Sequence, residues 1–254
     1  MKRLGPAVAF LSALLSTAEA NAPLANTLTA PPRCGTGERW SLEFQLLQLT
    51  GAYGTVEIEG GCTSGQKATI TGSVETTELI SYLWRVRDTL QAVMDVDARR
   101  TLSMRVWEYE NGRRRYREET YHPDNVHMRL MVPGTDPEVT TTPAPRGALD
   151  PFTVLMLLRG QRLADGELHT FPIFSKGIMY EGKVKVAGRR TLEFLGQPHR
   201  TVLLLATFTR GGKPASVRAE IWLTDDDRRL PVQVQAITSY GHLTSVLTAV
   251  ANAP

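Results

Sequence analysis

Apolar and polar residues alternate with a period of two over most of this chain. Trp40, Leu42, Phe44 and Leu46 alternate with Ser41, Glu43 and Gln45, and Val56 and Ile58 alternate with Thr55, Glu57 and Glu59. Successive side chains of a strand point to opposite faces, so each run predicts a strand with one face buried. The pattern returns at Tyr82, Trp84 and Val86, at Leu102, Met104 and Val106, at Tyr116, Glu118 and Thr120, and over residues 126–132. It resumes at Ile178, Tyr180, Gly182, Val184 and Val186, then over residues 217–223, 232–236 and 243–250. Residues 202–208 are apolar on both faces, which predicts a central strand. Asn111-Gly112 between two alternating runs is a strong hairpin signal. The count comes to about eleven or twelve strands.

Two stretches break the pattern. Residues 133–146 hold Pro133, Gly134, Pro137, Pro143, Pro145 and three consecutive threonines, and they predict a long loop. Asp150 then offers a helix N-cap, Pro151 suits the first helical position, residues 152–158 are almost wholly apolar, and Gly160 can end the helix. A helix apolar all round must be buried on most sides. The expected fold is therefore mainly β: a strongly curved antiparallel sheet, a half-barrel or β-spiral, around one short buried helix.

The beginning of the chain reads as a targeting segment. Lys2 and Arg3 precede an apolar stretch over residues 7–15, and Ala18, Glu19 and Ala20 form a small-x-small cleavage site. That stretch is far shorter than the ~20 residues of a bilayer span. Residues 1–20 are thus expected to be a signal peptide cut near Ala20. Residues 21–33, rich in Pro, Ala, Thr and Asn, read as a flexible leader, and residues 34–250 as one β domain. The expected location is the periplasm or the exterior.

Composition narrows the partners. Loss of Lys2, Arg3 and Glu19 lowers the formal net charge from +3 to +2. The densest basic run, Arg113 to Arg115, is flanked by Glu108, Glu110, Glu118 and Glu119, a poor footprint for nucleic acid and a good one for a solvated hairpin with cross-strand ion pairs. Export makes Cys34 and Cys62 a disulfide pair. They sit just outside the outer ends of the first predicted hairpin, and closing that loop is worth on the order of 3 kcal/mol.

Candidate chemistry is sparse. There is no Gly-x-Ser-x-Gly elbow. His122, His127, His169, His199 and His242 are scattered, with no metalloenzyme spacing. Asp225, Asp226 and Asp227 lack the alternating ligand pattern of a calcium loop and read as a solvated turn. Neither catalytic residues nor cofactor or metal ligands are assigned. Three residues remain as ligand or structural candidates. Asp150 caps the helix. Arg159 either ties the helix to a strand carboxylate or to Asp150, or holds an anionic head group at a cavity mouth. Trp222 either packs in the sheet or lines a concave groove.

The second half carries a recognisable order: Asp150-Pro151-Phe152 leading to Arg159, then Ile221-Trp222-Leu223-Thr224-Asp225, then Arg229-Leu230-Pro231-Val232, and a closing Tyr240-Gly241-His242-Leu243. This resembles the bacterial domain-of-unknown-function family 3108 over roughly residues 34 to 250. The resemblance implies an exported or periplasmic protein of Gram-negative bacteria. It also implies a curved sheet around a helix, similar in outline to the lipoprotein carriers LolA and LolB and to β-spiral envelope proteins. Two function classes follow. One is a non-enzymatic envelope protein that binds an apolar or lipid-like ligand on its concave sheet. The other is a structural or interaction protein for envelope integrity, with a protein partner and a filled sheet. A contiguous apolar cavity of at least ~300 Å³ separates the first from the second.

Overall fold

The computed structural model describes residues 26–46, 49–145, 147–238 and 241–252, so the signal-peptide and cleavage-site assignments lie outside the described residues. Two antiparallel meanders share one sheet. The first runs through β1 (Glu38–Leu46), β2 (Leu49–Glu59), β3 (Lys67–Thr76), β4 (Arg87–Asp95), β5 (Arg100–Glu110), β6 (Arg113–Tyr121), β7 (Asn125–Met131) and β8 (Glu138–Pro143). The second runs through β9 (Leu168–Ser175), β10 (Ile178–Phe194), β11 (Gln197–Arg210), β12 (Lys213–Thr224), β13 (Pro231–Thr238) and β14 (Gly241–Asn252). The last strand pairs with the first, from Leu46 opposite Leu243 to Glu38 opposite Asn252, which fuses the meanders into a 14-stranded sheet. The sheet does not close, and β8 and β9 are its edges.

Curvature has a local cause. The ladder shifts register between Ser41 and Leu42, Phe44 and Gln45, Val93 and Met94, and Trp222 and Leu223, among other places. Each such bulge bends and twists its strand. The predicted Asn111-Gly112 turn forms with φ of 47° and 82°, the pair of left-handed residues that matches strand twist.

The edges are managed rather than left open. On β9, the Thr170 carbonyl accepts from the Thr27 amide at 2.8 Å and the Thr170 amide donates to Thr27 Oγ1 at 2.8 Å. Further along, Leu149 bridges to Ile173, donating to Pro172 O at 3.0 Å and accepting from Phe174 N at 2.8 Å. Strand β8 is short, with Pro137 just before it and Pro143 at its end, which discourages further pairing.

The chain crosses from one edge to the other through α2 (Pro151–Gly160), the buried helix that the sequence predicts. Phe152 and Leu158 are buried, and Leu155 is half-buried.

Several expectations are corrected. The strand count rises to fourteen because β3, β4, β8 and β9 join the sheet while one predicted strand drops out. The threonine run at residues 140–142, read as loop, supplies β-branched residues to β8. Tyr82, Trp84 and Val86 do not form a strand. Thr77 Oγ1 accepts from Ile80 N and caps a single helical turn, α1 (Glu78–Ser81), and the strand begins only at Arg87. Residues 26–33 are not a free leader over their described length. Leu28 is buried in the main core, Ala30 N donates to Gln161 Oε1, and Arg33 N donates to Met156 O.

Gly160 makes that docking feasible. A Cβ there would stand 1.8 Å from Pro31 O, so the leader lies directly on the helix end. Replacing Gly160 with Ala is expected to cost about 1–3 kcal/mol through overpacking and to raise hydrogen exchange selectively over residues 28–33. Unchanged exchange there would mean that the leader is held elsewhere.

Candidate functional site

The helix is held at both ends by buried polar groups. At its start Asp150 Oδ1 accepts from Phe152 N at 2.7 Å and Thr153 N at 3.2 Å, and Oδ2 accepts from Thr101 Oγ1 of β5 at 2.7 Å. The Asp150 amide in turn donates to Thr101 Oγ1 at 2.8 Å. The cap is therefore also the joint between helix and sheet. At the helix end Arg159 Nη2 donates to both oxygens of Glu38 on β1, at 2.9 and 3.0 Å. It also donates to Arg228 O, and Nε donates to Arg229 O. Trp40 Nε1 donates to Glu38 Oε1, and the guanidinium lies 5.0 Å from the Trp40 ring. With its donors so committed, Arg159 ties the helix to a strand carboxylate, one of the roles that its sequence position suggests.

The other predicted residues lie apart from this pair of joints. Cys34 and Cys62 are bonded, with Cα atoms 5.2 Å apart, at the outer end of the β1–β2 hairpin. Trp222 has the opposite parity to Val217, Ala219 and Ile221, which face the helix, and the Arg190 guanidinium covers its ring at 3.8 Å. Asp225 pairs with Arg189, Arg200 and Arg229, while Asp226 Oδ1 accepts from Thr224 Oγ1 and two backbone amides, which accounts for the acidic run as a turn.

Between α2 and the concave sheet lies an apolar cavity of about 200 Å³. It exists because the inner face carries Gly72, Ala206, Ala219 and Ala236 where larger residues would fill the space. Leu42, Phe44, Leu155 and Phe208 also line it and are only half-buried, so the hollow is not sealed.

One acid stands on its wall. Asp88 of β4 is 1% exposed. Its Oδ1 accepts from Tyr109 N at 2.8 Å, and its Oδ2 is buried with no hydrogen-bond partner among the described residues. Burial pushes its carboxyl up to about 7, with Glu110 and Glu108 adding to the rise and the Tyr109 amide working against it.

Beyond Asp88 the interior turns polar. Glu108 of β5 and Arg117 and Glu119 of β6 are all buried. Arg117 Nε contacts Glu119 Oε1 at 3.0 Å, Arg117 Nη1 lies 3.6 Å from Glu108 Oε1, and Tyr121 donates to Glu119 Oε2 at 3.0 Å. Burial raises the Glu119 carboxyl and lowers the Lys176 ammonium. The sequence reads as a solvated hairpin end at Arg113 to Arg115, with the flanking glutamates in exposed cross-strand ion pairs. The available signal was parity: Glu108 continues the inward face of Met104 and Val106, and Glu119 continues that of Tyr121.

Comparisons place this architecture. The model of the family described as "Protein of unknown function (DUF3108)" matches residues 43–248. No curated protein matches. The chain is similar to a solved β-barrel-like protein of domain of unknown function DUF1849 from Brucella abortus, with a TM-score of 0.59 and 10% identity, over 86% of this chain and 98% of that one. It also aligns with a protein of YmcC-like fold from Bacteroides fragilis, over 88% of this chain and 100% of that one, at 10% identity and a TM-score of 0.37, too distant to bear on the fold.

Two outcomes are expected of the site. Arg159→Met strands a buried carboxylate and should cost about 3–5 kcal/mol, while adding Glu38→Gln should restore part of that loss in chemical denaturation. For Asp88, the native state holds a proton between about pH 4 and pH 7 that the unfolded chain has released. Stability should therefore fall as pH rises through that window. Asp88→Asn should flatten the profile and gain on the order of 2 kcal/mol above pH 7, read as Tm against pH.

Proposed function

The chain belongs to the DUF3108 family of proteins of unknown function, and from that premise we propose that it is an exported, non-enzymatic envelope protein that binds a small apolar ligand on its concave sheet. The observation that carries this reading is the hollow beneath α2, apolar, unsealed and bordered by one buried carboxylate oxygen without a partner among the described residues. Apolar pockets with few convergent polar groups are the usual form of small-ligand sites. Size limits the ligand. About 200 Å³ is below the ~300 Å³ floor of drug-sized pockets and above the ~150 Å³ that accepts benzene. A single ring or the end of one alkyl chain fits, and a whole lipid does not. A hydrogen-bond donor on that ligand, such as an amine or hydroxyl, would complete Asp88. Export is supported by the signal-like beginning of the sequence and by the Cys34–Cys62 bond, which oxidising compartments favour.

At about 200 Å³ the hollow falls short of the ~300 Å³ expected of a carrier, so its volume favours the second reading, a structural or interaction protein for envelope integrity with a protein partner. A cavity this small is close to a filled sheet.

Protein recovered from the periplasm and titrated with octylamine, octanol and octanoate separates the two. Octylamine and octanol should raise Tm, octanoate should not, and Ala219→Phe should abolish the effect by filling the hollow. If no probe shifts Tm, or if the shift survives Ala219→Phe, the ligand reading is lost and the scaffold reading replaces it.

A further inference from the structure

We propose that the end of the sheet made by the first half of β2, α1 and the β5–β6 turn docks on an anionic lipid surface. Leu79, Tyr82 and Leu83 are 77%, 90% and 82% exposed, and Leu49 and Tyr53 are 72% and 55% exposed. Single exposed apolar side chains are ordinary on any protein. Here they gather at one end, because the backbone ties their segments together. Thr77 N donates to Gly51 O at 3.0 Å, joining α1 to β2. Arg85 N donates to Asn111 Oδ1 at 2.8 Å, and Asn111 N donates to Arg85 O at 2.9 Å, joining the α1–β4 connection to the β5–β6 turn.

That second joint sets arginines beside the apolar tips. Arg85, Arg113 and Arg114 are exposed and enter no ion pair among the described residues, whereas Arg87 is paired with Glu75 and Arg115 faces Glu108. Tyr82, Arg85 and Arg114 share one shallow depression of about 770 Å³ with Arg87 and Tyr109. Glu75 and Glu78 also border it; Glu75 is neutralised by Arg87, which leaves Glu78 as the opposing charge.

The chemistry points to lipid. Leucine and tyrosine on protruding turns, next to unpaired arginines, match the composition of interfacial membrane contacts, where rings and aliphatic tips enter the head-group region and guanidinium groups meet phosphates. The depression at this end is shallow and edged by arginines, and neither free edge of the sheet, β8 or β9, belongs to it. None of these residues lines the hollow beneath α2, so this surface is independent of the ligand site.

Sedimentation with vesicles tests it. The full chain, freed of its signal segment, should bind vesicles of phosphatidylglycerol and phosphatidylethanolamine, and binding should fall several-fold at about 0.5 M salt. Leu79→Ser with Leu83→Ser should weaken it roughly tenfold or more, and Arg113→Gln with Arg114→Gln several-fold with a flatter salt response. These positions are exposed, so circular dichroism and Tm should be unchanged. Equal binding to phosphatidylcholine vesicles, or full binding by the leucine variant, overturns the proposal. So does absence of vesicle binding combined with a crosslink to an envelope protein that the same variants lose, which would make this end a protein interface.

Discussion

A strongly curved sheet cannot stand with an empty concave face, and everything else in this molecule depends on how α2 is fastened inside it. The helix is too apolar to face water and too short to be stable alone. Packing alone would let it slide, since apolar contact has no direction. Two buried polar joints set its position: Asp150 to Thr101 on β5 and Arg159 to Glu38 on β1. Their signs also suit the helix, an acid at its start and a base at its end. Because β1 and β5 lie in the same meander, the helix spans several strands of the sheet and holds their curvature.

The same fastening explains the hollow. With its ends anchored, α2 cannot settle onto the small residues Gly72, Ala206, Ala219 and Ala236, and space remains beneath Leu155. The interior then divides. Under the helix the wall is apolar, and beyond Asp88 it carries Glu108, Arg117, Glu119 and Tyr121. Charges buried that deeply are stable only as a connected set, and the contacts of Arg117 with both glutamates provide the connection. Asp88 sits at the border, its second oxygen without a hydrogen-bond partner among the described residues, and burial there pushes its carboxyl up to about 7.

Closure of the barrel is replaced by cover. The β9 edge is occupied by Thr27 and Leu149, and the β8 edge is short and flanked by prolines. The leader that supplies Thr27 continues across the helix end at Gly160, so one segment of chain both blocks an edge and caps the plug.

Much of this was legible in the residues because it is local. Period-two alternation found most strands, Asn111-Gly112 found its turn, Asp150-Pro151 found the helix, and the hairpin flanks brought Cys34 to Cys62. These signals depend on near neighbours and on which face a side chain must take. Alternation misled where a cap intervened, at Thr77, and the reading passed over β3, β4 and β9 and took the threonines of β8 as loop. What only the tertiary structure decided is pairing at long range. That Arg159 meets Glu38 and that the leader lies on Gly160 both depend on how far the sheet bends. Bending accumulates from bulges at several ladders, and no single stretch of sequence encodes the sum. The volume of the hollow is subject to the same limit, because it is the difference between a curvature and the side chains that fill it.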